Sequence, residues 1–294
     1  LNPKHLTLLI SASTGIILGI TIVQSRAIIG ELSPASLGFL RYFIAFVFLA
    51  PLAFFATRVG SRYSLKDLTG ISLLGIAQFG IVILLMNFGL QYIPSGRAAL
   101  IYSASPILTL SIAALLGRES FNVPKLIGIS LAIFGVALAI GEDAFIPASA
   151  TSYEWIGDGA VFLSTLIASL CAVLFGSYVR KYSIRHVSLI ALFAAIIFLL
   201  IVTVVGGWHL EIPRLEINSW VILATLGITS ATGLFLWLWA LRLSTPTKVN
   251  VFLTLNPITA AGLGAILLGE EITLLFLAGL VAVIAGTWLT FRSE

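Results

Sequence analysis

Residues 97–140 read RAALIYSASPILTLSIAALLGRESFNVPKLIGISLAIFGVALAI, and a shift of 151 positions brings this stretch onto a second one that begins at Lys248. Pro106 falls on Pro257, Glu119 on Glu270, Gly128 on Gly279 and Gly135 on Gly286. Ala114, Leu116 and Ile133 fall on Ala265, Leu267 and Ile284 in the same ungapped register. The chain is two copies of one unit. Internal repeats of apolar helices are a signature of many membrane carriers, whose binding sites lie where the copies meet.

The composition places the repeat in a bilayer. Of 294 residues, 59% are hydrophobic and 10% charged, and the mean hydropathy is +1.11. Soluble domains carry about 25% charged residues, so this chain cannot cover a water-facing globule. About 20 apolar residues cross a bilayer as a helix. Breaks at Gly, Pro and charge clusters divide the sequence into ten such spans, roughly 5–28, 35–57, 68–90, 95–116, 124–141, 156–179, 187–206, 219–241, 246–268 and 272–291. The first is too long and too interrupted by polar residues for a signal peptide and counts as a helix. A single cysteine, Cys171, excludes an intramolecular disulfide.

The formal charge of +4 is explained by topology and implies no nucleic-acid partner. With the N-terminus cytoplasmic, twelve basic residues (Lys4, Arg58, Arg62, Lys66, Arg118, Lys125, Arg180, Lys181, Arg185, Arg242, Lys248 and Arg292) fall inside and three (Arg26, Arg97 and Arg214) outside. That is a strong positive-inside bias, which predicts both termini in the cytoplasm. Five spans per copy is an odd number, so the second copy enters the membrane from the opposite side. The predicted architecture is all-α, with ten transmembrane helices as two inverted five-helix repeats around a central cavity. The first repeat occupies 1–141, an extracytoplasmic linker 142–155, and the second repeat 156–294.

Chemistry by the chain itself is not implied. No Asp or Glu lies deep within a span, and His5, His186 and His209 sit near span ends. This argues against an intramembrane proton relay. There is no Ser-Lys or Ser-His pairing at depth, no His-Glu metal motif and no phosphate-binding glycine loop, so neither enzyme, cofactor nor metal is expected. No ATPase domain is recognisable. A carrier lined by neutral polar and aromatic groups remains.

Arg41 is the one charge inside a span, about two turns from its outer end. Snorkelling to the interface is the simpler reading; pairing with a helix C-terminus or a substrate carboxylate is the sharper one. Leu192 stands at the equivalent place in the second copy. Pro106 and Pro257 each free a carbonyl, of Tyr102 and Leu253, either to kink the helix or to face a ligand. Tyr102, Ser105 and Thr109 share a helical face, as do Asn250, Thr254 and Pro257. Ser11, Thr14, Leu18, Thr21 and Ser25 form a polar stripe on the first span. Gln78 maps by the shift to Thr229, which shares a face with Thr232 and Trp239. Ser164, Ala168 and Cys171 make a weaker face of small residues. Each stripe alone fits helix packing, while stripes on equivalent spans of both copies suggest a cavity. Trp239 could stack on a ligand or serve as an ordinary packed or interfacial Trp. Gly128, Ala132, Gly135 and Ala139, with Gly279 and Gly286, mark the fifth and tenth spans as scaffold or as a dimerisation face, and Gly15 and Gly19 repeat the small-residue pattern in the first.

These features carry a resemblance. SPASLGFLRYFIAF around Arg41, GLQYIPSGRAALIYSASPILTLSIAALLGRE, and ALRLSTPTKVNVFLTLNPITAAGLGAILLGEE in the second copy resemble the drug/metabolite transporter superfamily, EamA type. Within it the sequence looks like the YddG-type bacterial inner-membrane exporters of amino acids. The resemblance implies a central cavity between the halves and export of aromatic and other neutral amino acids or related metabolites, and of cationic compounds such as methyl viologen. Membrane lipid surrounds such a carrier, as a monomer or a weak homodimer. Tyr102, Ser105 and the carbonyl freed by Pro106 would hold polar ends of the substrate, helped by Gln78, Asn250 and Thr254. Thr14 and Thr229 would add polar lining and Trp239 an apolar wall. A small-solute channel, or a transporter of another substrate class, is the alternative.

Overall fold

Backbone polar groups in hydrocarbon must be satisfied within the segment, so long apolar runs fold as helices. The computed structural model describes residues 3–54, 63–117, 123–140, 153–206 and 215–292, and each predicted span is helical there, with ends within a few residues of those expected. The first copy contains α1 (Pro3–Ile28), α2 (Pro34–Phe54), α3 (Leu65–Gly75), a π-helical turn (Ile76–Ile81), α4 (Val82–Gly89), α5 (Ser95–Tyr102), α6 (Ser105–Leu115) and α7 (Val123–Ile140). The second contains α8 (Glu154–Lys181), α9 (Ile184–Val205), α10 (Ile217–Leu243), α11 (Pro246–Val251), a 3-10 turn (Phe252–Thr254), α12 (Leu255–Leu268) and α13 (Leu274–Arg292). Among the described residues there are no strands.

Eight stretches are long and apolar enough to cross a membrane: α1, α2, α3 through α4, α5 through α6, α8, α9, α10, and α11 through α12. In place of the ten expected, α7 and α13 have the shorter apolar runs Leu126–Leu138 and Leu274–Gly286. Phe193, Ile201, Val221 and Val281 are exposed, as lipid-facing side chains are. Most of the 142–155 linker, and Glu119, lie outside the described residues.

Helix ends follow local chemistry. Ser64 caps α3, its Oγ accepting from the Asp67 N–H at 3.1 Å. Thr245 caps α11 with Pro246 in the first turn. Gly117 and Gly269, at φ +69° and +67°, follow the ends of α6 and α12 in the left-handed conformation that glycine adopts freely. These two glycines lie one residue further apart than the shift of 151, so the ungapped register slips locally at the Leu-Leu-Gly-x-Glu elements. Pro106 and Pro257 break their helices rather than merely bending them, with α5 ending at Tyr102 and the 3-10 turn separating α11 from α12.

Packing is closed under exchange of the copies. Helix α1 lies against α10 and α12, as α8 lies against α4 and against α5 and α6. Helix α2 lies against α10, as α9 lies against α3 and the π turn. The pairs α2 with α9, α7 with α13, and α5 and α6 with α12 and α11 join equivalent elements of the two copies.

Small residues set the closest approaches. A Cβ on Gly15 would collide with the carbonyl oxygen of Phe252, and one on Gly19 would lie 2.7 Å from Thr259 Cβ and 2.8 Å from the Asn256 carbonyl oxygen. The first-span pattern therefore seats α1 on the broken helix of the second copy. A Cβ on Gly135 would lie 2.5 Å from the Gly279 carbonyl oxygen, so the glycine face of α7 is used within the chain, against α13. Gly15→Ala is expected to destabilise the fold by about 1–3 kcal/mol because backbone cannot yield as a side chain does. Gly262→Ala, where nothing lies within 4 Å, should leave stability unchanged. Thermal unfolding of the two variants in detergent checks the contrast.

Candidate functional site

A cleft opens at the junction of the copies, with ≈ 670 Å³ of space not filled by protein atoms, its solvent-open mouth included. The first copy contributes the C-terminal half of α1, Arg41 and Tyr42 of α2, the π turn and α4, and Tyr102 at the end of α5; the second contributes α10 and Asn256 of α12.

The apolar wall is aromatic. Trp237 meets Phe79 edge-on at 6.4 Å and Phe175 at 5.9 Å between ring centroids, and Tyr42 meets Phe79 at 5.8 Å. Such edge-to-face pairs each add roughly 0.5–1.5 kcal/mol beyond area burial. This cluster fixes Phe79 and Trp237 in the wall, with Val82, Met86 and Leu234 beside them.

The polar groups are few and incompletely satisfied. Asn256 is fully buried and neither atom of its side-chain amide has a partner; Gln78 is buried with Oε1 unpartnered. Arg41, only 4% exposed, does not snorkel. Its Nε donates to Ser230 Oγ at 2.6 Å and a terminal nitrogen donates to Ser25 Oγ at 3.3 Å, while the guanidinium sits 5.3 Å from the Tyr42 ring centroid. It is the one charged side chain lining the cleft.

Of the residues singled out from sequence, Arg41, Gln78, Tyr102 and, from the α1 stripe, Leu18, Thr21 and Ser25 line this cleft. Ser105 and Asn250 meet in a separate buried cluster, where Asn250 Nδ2 donates to Ser105 Oγ at 3.1 Å and to Thr109 Oγ1 at 2.7 Å. Ser169 Oγ lies 3.2 Å from the Ser105 carbonyl oxygen, bracing the chain beside buried Pro106 at the break between α5 and α6. Thr14 and Thr254 donate within their own helices, to the carbonyls of Ile10 at 2.8 Å and Val251 at 2.7 Å. Thr229 donates to Gln24 Oε1 at 2.8 Å, away from the wall. Trp239 is half-buried beside Phe235 at a surface depression near Arg185 and Arg242.

The residues missed from sequence are Ser230, Trp237 and Asn256. By the shift they correspond to Phe79, Met86 and Ser105. The first two line the cleft, so the register points to Ser230 and Trp237, whereas Ser105 sits in the separate buried cluster and gives no signal for Asn256. The π turn explains why Gln78 faces the cleft while its counterpart Thr229 does not. A π turn holds more residues than an α turn, a distortion frequent at functional sites. It lets Gln78 and Phe79 both face inward, whereas α10 is regular throughout and each residue there rotates by about 100°.

Among the described residues, the ion pairs lie at helix ends. Arg97 Nη2 pairs with Asp158 at 2.6 Å and Nη1 with Glu154 at 3.0 Å, and Arg26 lies 3.8 Å from Glu270. Lys181 Nζ and the Tyr182 hydroxyl donate to Asp67, each at 2.6 Å. Every one of these pairs joins residues that the charge bias assigns to the same side of the membrane.

The sequence profile of the EamA-like transporter family matches residues 5–141 and again 155–292. The chain belongs to the EamA-like transporter family. It is a multi-pass membrane transporter whose unit occurs twice. Similar proteins include an uncharacterized transporter of Archaeoglobus fulgidus, 29% identical over 269 residues and 90% of each chain. A probable amino-acid metabolite efflux pump of Salmonella typhimurium is 27% identical over 288 residues, 93% of this chain and 91% of its own. The Escherichia coli protein of that name shows the same identity and coverage. A solved crystal structure superposes with a TM-score of 0.70 over 98% of each chain at 17% identity, a likeness of fold. As a transporter, the protein is expected to lose about tenfold in saturable exchange on Trp237→Ala, the equivalent of about 1.4 kcal/mol of lost contact. Trp239→Ala should change exchange by less than about twofold, because it removes no wall contact. The rates of the two variants in proteoliposomes decide between these faces of α10.

Proposed function

We propose that this transporter is an alternating-access carrier of the bacterial inner membrane that exports aromatic and other neutral amino acids or related small metabolites. The observation that carries the reading is the cleft between the copies, which has a mostly apolar, aromatic wall and a few buried polar groups, the usual make-up of a small-molecule site. The names of the Salmonella typhimurium and Escherichia coli relatives point to the same substrate class.

In this reading the chain crosses the membrane ten times, as two inverted repeats of five helices at 1–141 and 156–294 joined by an extracytoplasmic linker at 142–155, with both termini cytoplasmic. The exchange symmetry of the packing supports the inverted pair, and α7, at 18 residues, rises about 27 Å, close to the hydrocarbon thickness. Rocking of one copy against the other would expose the cleft to each side in turn. Gln78 and Tyr102 contact the substrate. Ser105, Pro106 and Asn250 support them from the break behind Tyr102, and Thr14, Thr229 and Thr254 serve helix packing. Both walls come from one chain, so a monomer suffices.

The cleft lining contains no Asp, Glu or His. Exchange is therefore expected to be indifferent to pH. Counterflow of labelled phenylalanine, tryptophan and leucine in proteoliposomes should be saturable and change by less than about twofold under an imposed pH gradient, since no carrier group titrates in the lining. Acceleration by the gradient would show proton coupling. Failure of every amino acid to exchange would sink the substrate class, and flux without saturation or counterflow would favour a channel.

A further inference from the structure

Among the described residues, the cation in the cleft wall has no anion beside it. Arg26 and Arg97, at helix ends, each lie beside carboxylates. Arg41 is more deeply buried than either, yet among the described residues its hydrogen-bond partners are the hydroxyls of Ser25 and Ser230. Both hydroxyls turn their own protons to backbone, Ser25 to the Thr21 carbonyl at 2.8 Å and Ser230 to the Leu226 carbonyl. They therefore accept from Arg41 as neutral groups. A guanidinium has five N–H donors in a planar fork, and two hydroxyls leave most of them unmatched. An ionised group held away from water is costly unless paired, and intramembrane charges that persist mark ligand or ion sites. Tyr42 offers its ring face to the guanidinium, which leaves the net charge in place.

The same cleft holds acceptors that want a donor. Gln78 Oε1 and Asn256 Oδ1 are buried without partners, as is Asn256 Nδ2. Beside them run the aromatic and aliphatic side chains of Phe79, Met86 and Trp237. Three complementary features thus share one enclosure: a fork of donors carrying positive charge, free amide acceptors, and an apolar wall.

We infer that Arg41, steadied by Ser25 and Ser230, is the seat for the carboxylate of the transported molecule, and that the Gln78 and Asn256 amides receive its ammonium group. The inference rests on the reading of the cleft as the carrier's substrate site and narrows it. The preferred cargo is a zwitterion with an apolar body. A dication such as methyl viologen brings nothing that Arg41 can pair with, so the cationic compounds implied by the family resemblance are excluded from this seat. The planar fork matches a carboxylate in two parallel hydrogen bonds, which lysine cannot reproduce.

Three compounds with one apolar body test the seat on the full-length protein: phenylalanine, 3-phenylpropionate, which lacks the ammonium, and phenethylamine, which lacks the carboxylate. Each is measured as a competitor of labelled phenylalanine in counterflow and as a stabiliser of the detergent-purified protein against heat. Phenylalanine and phenylpropionate are expected to stabilise and compete, with phenethylamine weaker by at least about tenfold, as befits a lost charged hydrogen bond. Arg41→Gln should abolish the preference for carboxylates, and Arg41→Lys should restore it in part. Because the wild-type comparison needs no variant, misfolding of Arg41→Gln leaves the test intact. If amino acids exchange but phenethylamine competes as well as phenylalanine, the carrier reading stands and the seat is overturned. If no amino acid exchanges, yet phenylpropionate stabilises wild type and not Arg41→Gln, the amino-acid reading falls and the seat stands. Stabilisation by chloride alone, with no effect of any carboxylate, would mark an inorganic-anion site and overturn the inference.

Discussion

Hydrocarbon offers no hydrogen bonds, so a helix interrupted at membrane depth must be interrupted against protein. Among the described residues two helices are interrupted, at Ser103–Ala104 and at Phe252–Thr254. Ser169 of α8 covers the first from the side, while the chain's own Asn250 reaches across to Ser105 and Thr109. The second is covered by α1, whose glycines allow its backbone to lie on the Phe252 carbonyl. Each cover is drawn from the opposite copy, which is why neither copy is complete alone. The cleft lies beside both breaks.

Electrostatic work is divided by depth. At the helix ends, charges pair with one another and fix which ends meet. Lys181 pairs with Asp67, where the exposed lysine is screened by water and the pair contributes little to stability. Arg97 pairs with Asp158 through two hydrogen bonds, the aspartate buried and the arginine nearly so, and losing one partner there would be costly. Glu270 illustrates this: it accepts from the backbone N–H and the hydroxyl of Ser95 at the start of α5, while standing 3.8 Å from Arg26, so one carboxylate ties three helix ends together. At the level of the cleft the only charge is Arg41, set among hydroxyls, amides and aromatic rings. Fields there are weakly screened, and a single cation governs the potential that any solute meets.

The repeat and the positions of the helices were legible in the sequence because both depend on the length and period of apolar runs, which survive large changes in side-chain identity. Gln78 and Tyr102 were legible for the same reason, being polar groups on otherwise apolar faces. The face shared with Thr229 and Thr232 points to Trp239, whereas the wall takes Trp237, which stands two positions away and therefore on nearly the opposite side of the helix. A strict register points to Thr229 as the counterpart of Gln78 because it assumes that both copies wind identically, whereas the π turn rewinds one of them. The burial of Arg41 depends on Ser230 of α10, far along the chain, and no local pattern encodes that neighbour.

The π turn and the Arg41–Leu192 mismatch have a geometric consequence. Perfect duplication would give a cleft with matching walls, in which a solute could lie either way round. Here one copy supplies Gln78 and Arg41 where the other supplies Thr229, turned aside, and Leu192, buried in the core. The cleft is therefore not symmetric about the junction of the copies. In the proposed carrier, a molecule with its own polar head and apolar tail would be held in one orientation, and would keep it relative to the protein while the membrane side it faces changes.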